Sequence, residues 1–251
     1  MKLFPALLLS GLLSSSCLYA DGVKIIAFGD STTAFRKGRI DKVYSIRLQE
    51  ALAKKRIDAN VINEGVGGSH TGFLADNKRH KRQHARDRFQ EKVLSRKPDV
   101  VIVQFGINDS YVDQGGQEGS SRIPLEKYHG NLTHMVEALK DADIDVILMT
   151  PNPFGSNKED WRHERLREYA EKMRLVAREQ KVPLVDVWEM YGEYAKKNNV
   201  DHLLLDGVHP NDAGHQMLTE RLLPVVMELL QTSALADTEC LPAAPFRSHE
   251  K

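Results

Sequence analysis

After an apolar N-terminal segment, residues 23–33 of the 251-residue chain read VKIIAFGDSTT. The first part of this stretch is apolar and β-branched, which is typical of a buried strand. Gly29 and Asp30 then end the strand and begin a turn that contains Ser31. In open parallel sheets, ligands bind beyond the carboxyl ends of the strands. The turn around Ser31 is therefore predicted to lie where such a sheet carries its ligand site.

The same pattern of a strand followed by a helix repeats along the chain. Apolar runs of strand length are predicted as strands at 23–28, 59–63, 100–105, 146–150 and 183–187. Amphipathic stretches predict helices at 42–55, 76–95, 125–141, 158–180, 187–197 and 211–230. Because the strands alternate with helices and are apolar on both faces, we expect an α/β fold in which helices cover both faces of a parallel sheet.

Both ends of the chain depart from this repeat. Residues 1–20 combine a basic start, a short apolar run and small residues before Ala20, which predicts a cleaved export signal. The run is shorter than the ~20 apolar residues that a bilayer crossing needs, so no transmembrane segment is predicted. One domain is expected over 21–231, followed by a disordered tail over 232–251.

The cysteines bear on where the protein resides. An exported protein, periplasmic or extracellular, is predicted from the signal. Cys17 follows three serines and distantly resembles the cysteine of a bacterial lipoprotein signal, so a lipid anchor at Cys17 is the alternative to cleavage after Ala20. Cleavage would leave Cys240 alone, and no disulfide framework is therefore expected.

The charge pattern argues against one class of partner and leaves another open. Lys and Arg number 35 and balance 35 Asp and Glu, so no global basic surface for nucleic acid is predicted. The segment 78–97 is different, with nine Lys and Arg against Asp87 and Glu91. A solvated helix face is the simpler interpretation. The alternative hypothesis is that Arg79, Arg82 and their neighbours attract an anionic polysaccharide.

Polar or glycine-rich segments follow the first three predicted strands. They read GDSTT at 29–33, NEGVGGS at 63–69 and GINDS at 106–110, and DGVHP at 206–210 precedes the last helix. Each segment alone is a common turn or helix start. Together they supply a hydroxyl nucleophile, exposed backbone amides, an asparagine and an Asp/His pair on one rim of the sheet. Acyl transfer requires this set of groups.

In this order, the four segments resemble the sequence blocks of the SGNH (GDSL-type) hydrolase superfamily of esterases and lipases. The resemblance covers about 23–230. It implies a three-layer αβα sandwich with a five-stranded parallel sheet of flavodoxin-like order. It also implies a carboxylic ester hydrolase that uses no metal and no organic cofactor.

The residue types indicate how the nucleophile would be activated. An unassisted serine hydroxyl is a weak nucleophile, so Ser31 needs a neighbouring base. His209 is expected to accept the proton of Ser31 and to deliver it to the leaving alcohol. Asp206 precedes His209 by one tight turn and is expected to orient the imidazole ring and stabilise its charged form.

The family resemblance also implies which groups would bind the oxyanion. These groups are the backbone amides of Ser31 and Gly68 and the side-chain NH2 of Asn108, all of which suit a developing negative charge. Glycine at position 68 has no Cβ to block the approach of a substrate oxygen. Gly67 is the alternative donor if the loop register differs by one residue.

Other catalytic motifs are not found in the sequence. It contains no G-x-S-x-G, Walker A or H-E-x-x-H motif, and His70 replaces the third glycine of a dinucleotide-binding loop. His80 and His84 are four residues apart on a predicted helix, but the lysines and arginines around them disfavour a cation. No metal site is therefore predicted.

The expected substrate is an O-acetylated carbohydrate. Thr32 stands where the family name has leucine, and GDSTT resembles the rhamnogalacturonan acetylesterase-like branch, which removes O-acetyl groups from polysaccharides. Phe154 and Trp161 are candidates to contact the sugar, with packing at a helix start as the alternative for Trp161. The other functions left open are a lysophospholipase or short-chain aryl-ester hydrolase, and a catalytically silent carbohydrate-binding protein.

Overall fold

The computed structural model of the protein describes residues 22–36, 38–77 and 79–239. The predicted export signal, including Cys17, lies outside the described residues, as do Lys37, Lys78 and 240–251. The strands are β1 (Val23–Gly29), β2 (Ala59–Gly65), β3 (Val100–Gln104), β4 (Asp145–Met149) and β5 (Leu184–Val185). The α-helices are α1 (Tyr44–Lys54), α2 (Ala85–Lys92), α3 (Ile107–Ser110), α4 (Leu125–Lys140), α5 (Asp160–Gln180), α6 (Val187–Ala195) and α7 (Asp212–Glu239). Short 3-10 helices lie at Leu94–Arg96, Gly116–Glu118 and Val200–Leu203.

The five strands form one parallel sheet in the order β2-β1-β3-β4-β5. This is the flavodoxin-like order, so the predicted fold class is confirmed. The register aligns the carboxyl ends of the three strands that precede the polar loops. Gly29 of β1 lies beside Gly65 of β2 on one side and beside Gln104 of β3 on the other. The loops that carry the predicted site residues therefore start at the same level of the sheet.

Helices cover both faces of the sheet, as the apolar strands predict. Ile26 and Phe28 of β1 pack in a core that includes buried residues of α2, α4 and α5. Ile25 and Ala27 point to the opposite face and pack against α1, α6 and α7. This alternation follows from the two-residue period of a strand. The result is the predicted three-layer αβα sandwich.

Two segments differ from the sequence prediction. The helix predicted at 76–95 is irregular before Ala85, because side chains bind the backbone there in place of helical carbonyls. The side-chain oxygen of Asn77 accepts the amide of Arg79 at 3.0 Å, and the Asp87 carboxylate accepts the amide of His84 at 2.9 Å. His80 and His84 therefore do not lie on one helix.

The C-terminal end of the last helix also differs from its predicted position. Helix α7 continues to Glu239, so the tail predicted over 232–251 is helical in its first part. Leu230 is buried, and the hydroxyl of Ser233 donates to Asp145 at 2.8 Å, so contacts with the domain continue past the predicted end. No helix in the described part of the chain is both long and apolar enough to cross a bilayer.

A buried arginine joins the ends of β1 and β2. Arg88 donates to the carbonyl of Glu64 at 2.7 Å and to that of Gly29 at 2.8 Å. Its guanidinium lies 4.2 Å from the centroid of the Phe28 ring. Burial lowers the pKa of Arg88 to about 10, so the group stays charged at neutral pH. The loops that begin at these two strand ends are held at a set separation by charge-assisted hydrogen bonds.

Candidate active site

Ser31, His209 and Asp206 form one continuous chain of hydrogen bonds. The Oγ atom of Ser31 lies 2.9 Å from Nε2 of His209. The Nδ1 atom of the same ring lies 2.8 Å from Oδ1 and 2.9 Å from Oδ2 of Asp206. The fold thus brings together three predicted residues, two of which are 178 positions apart. The order of contacts is that of a Ser–His–Asp triad.

Asp206 and His209 share a short loop that is closed at its base. An isolated antiparallel bridge pairs Leu204 with Pro210, one at each end of the loop. Oδ1 of Asp206 also accepts the backbone amide of His209 at 3.1 Å, so the carboxylate holds both the turn and the ring. Gly207 has a φ of +77°, which favours glycine at this position. The acid and the base are therefore positioned by the same local structure.

The environment keeps the His209 ring in its neutral form at pH 7. Burial lowers the pKa of His209 below its usual 6.5, and the charge of Arg36 acts in the same direction. The hydrogen bond to Asp206 acts in the opposite direction. Burial alone would raise the pKa of Asp206, but the hydrogen bonds from His209 bring it below its usual 3.8. A neutral imidazole beside an ionised carboxylate is the state that a general base requires.

Replacing Arg36 with glutamine is expected to move the acid limb of the pH profile of kcat/KM to higher pH. Arg36 donates to the carbonyl of Ser31 at 3.4 Å, and its charge disfavours the imidazolium form of His209. Without this cation, the pKa of His209 rises and the neutral base is lost at a higher pH. Profiles with 4-nitrophenyl acetate measure the shift. Arg39→Gln removes a charge from the same loop as a control, and an acid limb that stays in place in Arg36→Gln contradicts the prediction.

The two predicted backbone donors for an oxyanion lie on neighbouring loops. Gly68 has a φ of +74°, and a Cβ there would lie 3.0 Å from the ring of His80, so the backbone conformation and the close contact both favour glycine. Over residues 22–36, 38–77 and 79–239, the amides of Ser31 and Gly68 donate to no protein acceptor. Gly67 lies beside the nucleophile, because its Cβ would be 3.8 Å from that of Ser31. Its carbonyl accepts a hydrogen bond from Arg82.

Asn108, the predicted side-chain donor, lies at the start of α3 and is only 8% exposed. Its Nδ2 atom is 3.3 Å from Oδ2 of Asp30. The other oxygen of Asp30 accepts the backbone amide and the hydroxyl of Thr32, each at 2.8 Å. Burial raises the pKa of Asp30 above its usual 3.8. The threonine that replaces the family's leucine therefore supports the carboxylate that joins the Ser31 turn to Asn108.

Sequence analysis did not identify Asp30, Arg36 or Arg122 as neighbours of the site. Asp30 is adjacent to Ser31 in the GDSTT segment, and its place in that motif was the available signal. Arg122 contacts Asn108 from 14 positions away, at the far end of an irregular loop. Neither hydrophobic periodicity nor a local motif reports a contact of that kind.

The structure corrects one predicted substrate contact. Phe154 is 3% exposed and packs against Ile107 and Leu166 in a small apolar cluster. Its ring is also covered at its edge by His163, with the two centroids 5.8 Å apart. The prediction that Phe154 contacts a sugar ring is wrong, because its apolar neighbours bury it.

Trp161 lies in a different setting, at the end of a row of alternating aromatic and arginine side chains. The Tyr111 ring has the guanidinium of Arg122 at 4.5 Å and that of Arg162 at 4.8 Å. Arg162 also lies 4.2 Å from the Trp161 ring. Trp161 lines a cleft of about 550 Å³, whose other walls include the polar residues Gln117, Glu118, Ser120, Glu164 and Arg165. The row connects this cleft to the residues that follow Asn108.

The arginines of the basic segment contact other parts of the protein. Arg79 forms an ion pair with Asp113 at 3.0 Å, and Arg82 binds the oxyanion loop at Gly67. Other members of the segment bind Glu64, Glu91, Asn131 or strand-end carbonyls. Much of the positive charge is therefore engaged within the protein. The position of Lys78 is outside the described residues.

Two histidines of the oxyanion-loop region stack on each other. The rings of His70 and His84 have centroids 3.5 Å apart, and burial lowers the pKa values to about 3 and about 4, respectively. His70 accepts the amide of Gly72 at 3.1 Å. In the part of the chain with described side chains, no three His, Cys, Asp or Glu residues are grouped to hold a metal ion. These histidines support the loop as neutral packing groups.

Curated proteins similar to this chain include several esterases. An acetylxylan esterase of Geobacillus stearothermophilus is 26% identical over 80% of this chain and 93% of its own length. The isoamyl acetate-hydrolyzing esterase 1 homolog of Homo sapiens is 27% identical over 81% of each chain. An uncharacterized lipoprotein of Bacillus subtilis, YqeF, is 26% identical over 92% of this chain and 97% of its own.

A solved structure agrees with these sequence relatives. The crystal structure of the acetylxylan esterase Axe2 from Geobacillus stearothermophilus matches with a TM-score of 0.66 and 26% identity. The match covers 82% of this chain and 94% of the other. The model of the GDSL-like Lipase/Acylhydrolase family matches residues 27–217, which is most of the chain and includes all four polar segments. The chain therefore belongs to the GDSL-like lipase/acylhydrolase (SGNH) family and is a carboxylic ester hydrolase.

Proposed function

We propose that this esterase is a serine hydrolase that removes O-acetyl groups from a carbohydrate through an acyl-Ser31 intermediate. The observation that carries the proposal is the 2.9 Å contact between Ser31 Oγ and His209 Nε2, in a ring whose other nitrogen binds Asp206. Such a contact activates a hydroxyl that is otherwise too weak to attack an ester. The neutral state of His209 at pH 7 supports the same role.

In the proposed first step, Ser31 Oγ attacks the carbonyl carbon while His209 Nε2 takes the hydroxyl proton. Asp206 stabilises the resulting imidazolium through Nδ1. The tetrahedral intermediate then collapses, the bond to the alcohol breaks, and His209 gives its proton to the leaving alcohol oxygen. In the second step, His209 takes a proton from water as the water oxygen attacks the acyl carbon. The bond between the acyl carbon and Ser31 Oγ then breaks, His209 returns its proton to Ser31, and acetic acid leaves and ionises to acetate.

The oxyanion of each tetrahedral intermediate is proposed to bind the amides of Ser31 and Gly68 and the Nδ2 group of Asn108. The two amides have no acceptor among the described residues and can donate to a substrate. Asn108 gives one N–H to Asp30 and keeps a second N–H for the oxyanion. Preorganised donors of this type contribute more to the transition state than to substrate binding.

An acetyl carbohydrate is favoured over a long-chain lipid by two observations. The relatives include an acetylxylan esterase and isoamyl acetate-hydrolyzing esterase homologues, so short acyl groups recur among them. The cleft beside Trp161 combines an aromatic ring with carboxylate, amide and hydroxyl groups. Such a lining suits the faces and hydroxyls of a sugar better than an alkyl chain. We propose that the sugar extends from Ser31 past Tyr111 toward Trp161.

Replacing Trp161 with alanine is expected to raise KM for an acetylated xylooligosaccharide by about tenfold, the equivalent of one aromatic contact. The kcat and KM for 4-nitrophenyl acetate, which carries no sugar to contact Trp161, are expected to stay near wild type. Phe73→Ala is the matched control, because Phe73 is an exposed aromatic ring beside another arginine, Arg86. Equal changes on both substrates, or none, would remove Trp161 from the substrate site.

Two measurements test the proposed reaction. A fluorophosphonate probe should label the wild type at Ser31, and acetyl esters should be hydrolysed faster than butyryl and octanoyl esters. Maximal rates on octanoyl esters would favour the lysophospholipase alternative. A wild type that neither reacts with the probe nor hydrolyses 4-nitrophenyl acetate would favour the silent carbohydrate-binding alternative.

We also propose that the protein is exported. The sequence of residues 1–20 has the composition of a signal peptide, and one similar protein is a lipoprotein. N-terminal analysis of the protein recovered from its host distinguishes the two forms. A chain that begins at Asp21 indicates cleavage after Ala20, whereas a lipid-modified Cys17 indicates a membrane anchor. An unprocessed Met1 contradicts export through this segment.

A further inference from the structure

We propose that Arg122 is a positioning residue for the oxyanion site: it orients the side-chain amide of Asn108 and places positive charge behind it. The inference rests on the proposed function, because it concerns the donor that Asn108 would offer to the oxyanion. No sequence motif singles out Arg122, which lies at the end of an irregular loop after α3. Three features of the Arg122 side chain suit it to this role: its donors, its support and its charge.

The donors of Arg122 determine which way the Asn108 amide faces. The Nη1 atom of Arg122 lies 3.2 Å from Oδ1 of Asn108. A guanidinium has only donors, so the atom it binds must be the amide oxygen. In the opposite orientation, the NH2 group of Asn108 would face the N–H donors of Arg122, and the amide oxygen of Asn108 would face the carboxylate of Asp30. The observed orientation satisfies both neighbours and presents the NH2 group of Asn108 on the side of Asp30, the residue that precedes Ser31 in the chain.

The support of Arg122 leaves its side chain little freedom. The side chain is 5% exposed, and Nε and Nη2 bind the carboxylate of Asp113 at 3.0 and 2.8 Å. The guanidinium plane lies over the ring of Tyr111. The Arg122 backbone amide donates to the carbonyl of Tyr111 at 2.9 Å, which ties the end of the loop back to α3. A side chain that is held by Asp113 and Tyr111, on a backbone that is itself tied to α3, transfers that order to the amide it binds.

The charge of Arg122 suits a site at which negative charge develops. Asp113 compensates one positive charge, but it is shared with Arg79, whose Nε lies 3.0 Å from it. The Arg122 guanidinium itself is 5% exposed and binds the Asn108 oxygen directly. Its charge polarises the Asn108 amide from behind and strengthens the donation of the NH2 group as the oxyanion forms. The effect belongs to the transition state, so it is expected in kcat more than in KM.

A double-mutant cycle separates this role from general structural support. Arg122→Met removes the donors but keeps much of the side-chain bulk. It is expected to lower kcat for 4-nitrophenyl acetate by roughly 10- to 100-fold, while KM stays within about threefold of wild type. This loss of kcat is smaller than the loss expected when the Asn108 donor itself is removed. In an Asn108→Ala background, the same substitution should lower kcat by less than about threefold, because the residue through which Arg122 acts is already absent. Arg122→Lys keeps the positive charge but loses the planar guanidinium that binds Asn108 and Asp113 together. It should give an intermediate kcat.

The chain offers a matched control pair. Arg86 also lies over an aromatic ring, Phe73, at 4.8 Å and donates to an asparagine oxygen, that of Asn131, at 3.4 Å. Arg86→Met should therefore reproduce the loss of packing and of a hydrogen bond while kcat stays within about threefold of wild type. Melting temperatures of all variants show whether each remains folded, and Arg122→Lys serves if Arg122→Met does not fold.

Several outcomes would overturn the inference and leave the proposed function intact. These are a wild-type kcat in folded Arg122→Met or Arg122→Lys, a change in KM alone, or an equal loss of kcat with and without the Asn108 side chain. An equal loss in Arg86→Met would point to general destabilisation and also overturn it. A wild type that neither hydrolyses 4-nitrophenyl acetate nor reacts with a fluorophosphonate would instead overturn the proposed function, and this inference with it.

Discussion

Replacing Ser31 with alanine is expected to lower kcat for 4-nitrophenyl acetate on the order of 10⁴- to 10⁶-fold. The substitution removes the hydroxyl oxygen that lies 2.9 Å from His209 Nε2 and would form the acyl intermediate. His209→Ala is expected to cost a similar factor, because the hydroxyl then lacks its base. The double variant should be no worse than either single variant, since the two residues act as one unit. Steady-state rates with the small ester measure all three.

A second buried serine provides the control for Ser31. The hydroxyl of Ser69 is buried and, among the described residues, has no hydrogen-bond partner. Ser69→Ala therefore removes a hydroxyl from the adjacent loop without breaking a bond, and it should keep nearly full activity. If Ser31→Ala retained more than a tenth of the wild-type rate, the nucleophile would have to be another residue. Additive losses in the double variant would contradict joint action with His209.

Replacing Asn108 with alanine is expected to lower kcat on the order of 10²- to 10³-fold, with a much smaller change in KM. The side chain supplies one of three proposed oxyanion donors, and that donor binds most strongly when the carbonyl oxygen becomes charged. Because Asn108 is also bonded to Asp30 and Arg122, the variant is expected to lose stability as well. Initial rates measured well below the melting temperature separate the two effects.

Asn131→Ala is the control for Asn108→Ala. Asn131 is a buried asparagine in α4 that donates to the hydroxyl of Thr71 at 3.2 Å and has no proposed contact with substrate. Its removal should lower the melting temperature while kcat stays within about threefold of wild type. A comparable fall in kcat for both variants would assign the Asn108 effect to packing. A change below threefold in Asn108→Ala itself would make that residue structural.

The sequence was most informative where a signal repeats or where chemistry is concentrated. The apolar, β-branched runs predict all five strands, because a strand buried on both faces has to be apolar along its length. The polar segments that hold Ser31, Gly68 and Asn108 follow from the rule that sites form at the carboxyl ends of parallel strands. The common level of these three loops comes from the strand register.

The sequence was least informative in irregular loops. The segment before α2 has helical composition, yet its backbone amides at Arg79 and His84 bind the side chains of Asn77 and Asp87 in place of helical carbonyls. The exposure of Phe154 also depended on distant neighbours, Ile107 and Leu166, which no local pattern reveals. Arg122 was missed for the same reason. In each case, the deciding interaction is between a side chain and a partner that hydrophobic periodicity does not encode.

The closed base of the loop that carries Asp206 and His209 has a consequence for partial unfolding. The bridge between Leu204 and Pro210 keeps Asp206 and His209 within one short loop. Ser31 belongs to a separate segment, which follows the strand β1 between β2 and β3. A local opening should therefore break the Ser–His contact and leave the His–Asp contact in place. Under mild denaturation, hydrolysis would then cease while the low-field proton resonance of the His–Asp hydrogen bond persists. Inactivation and loss of that resonance would be two successive transitions of the same molecule.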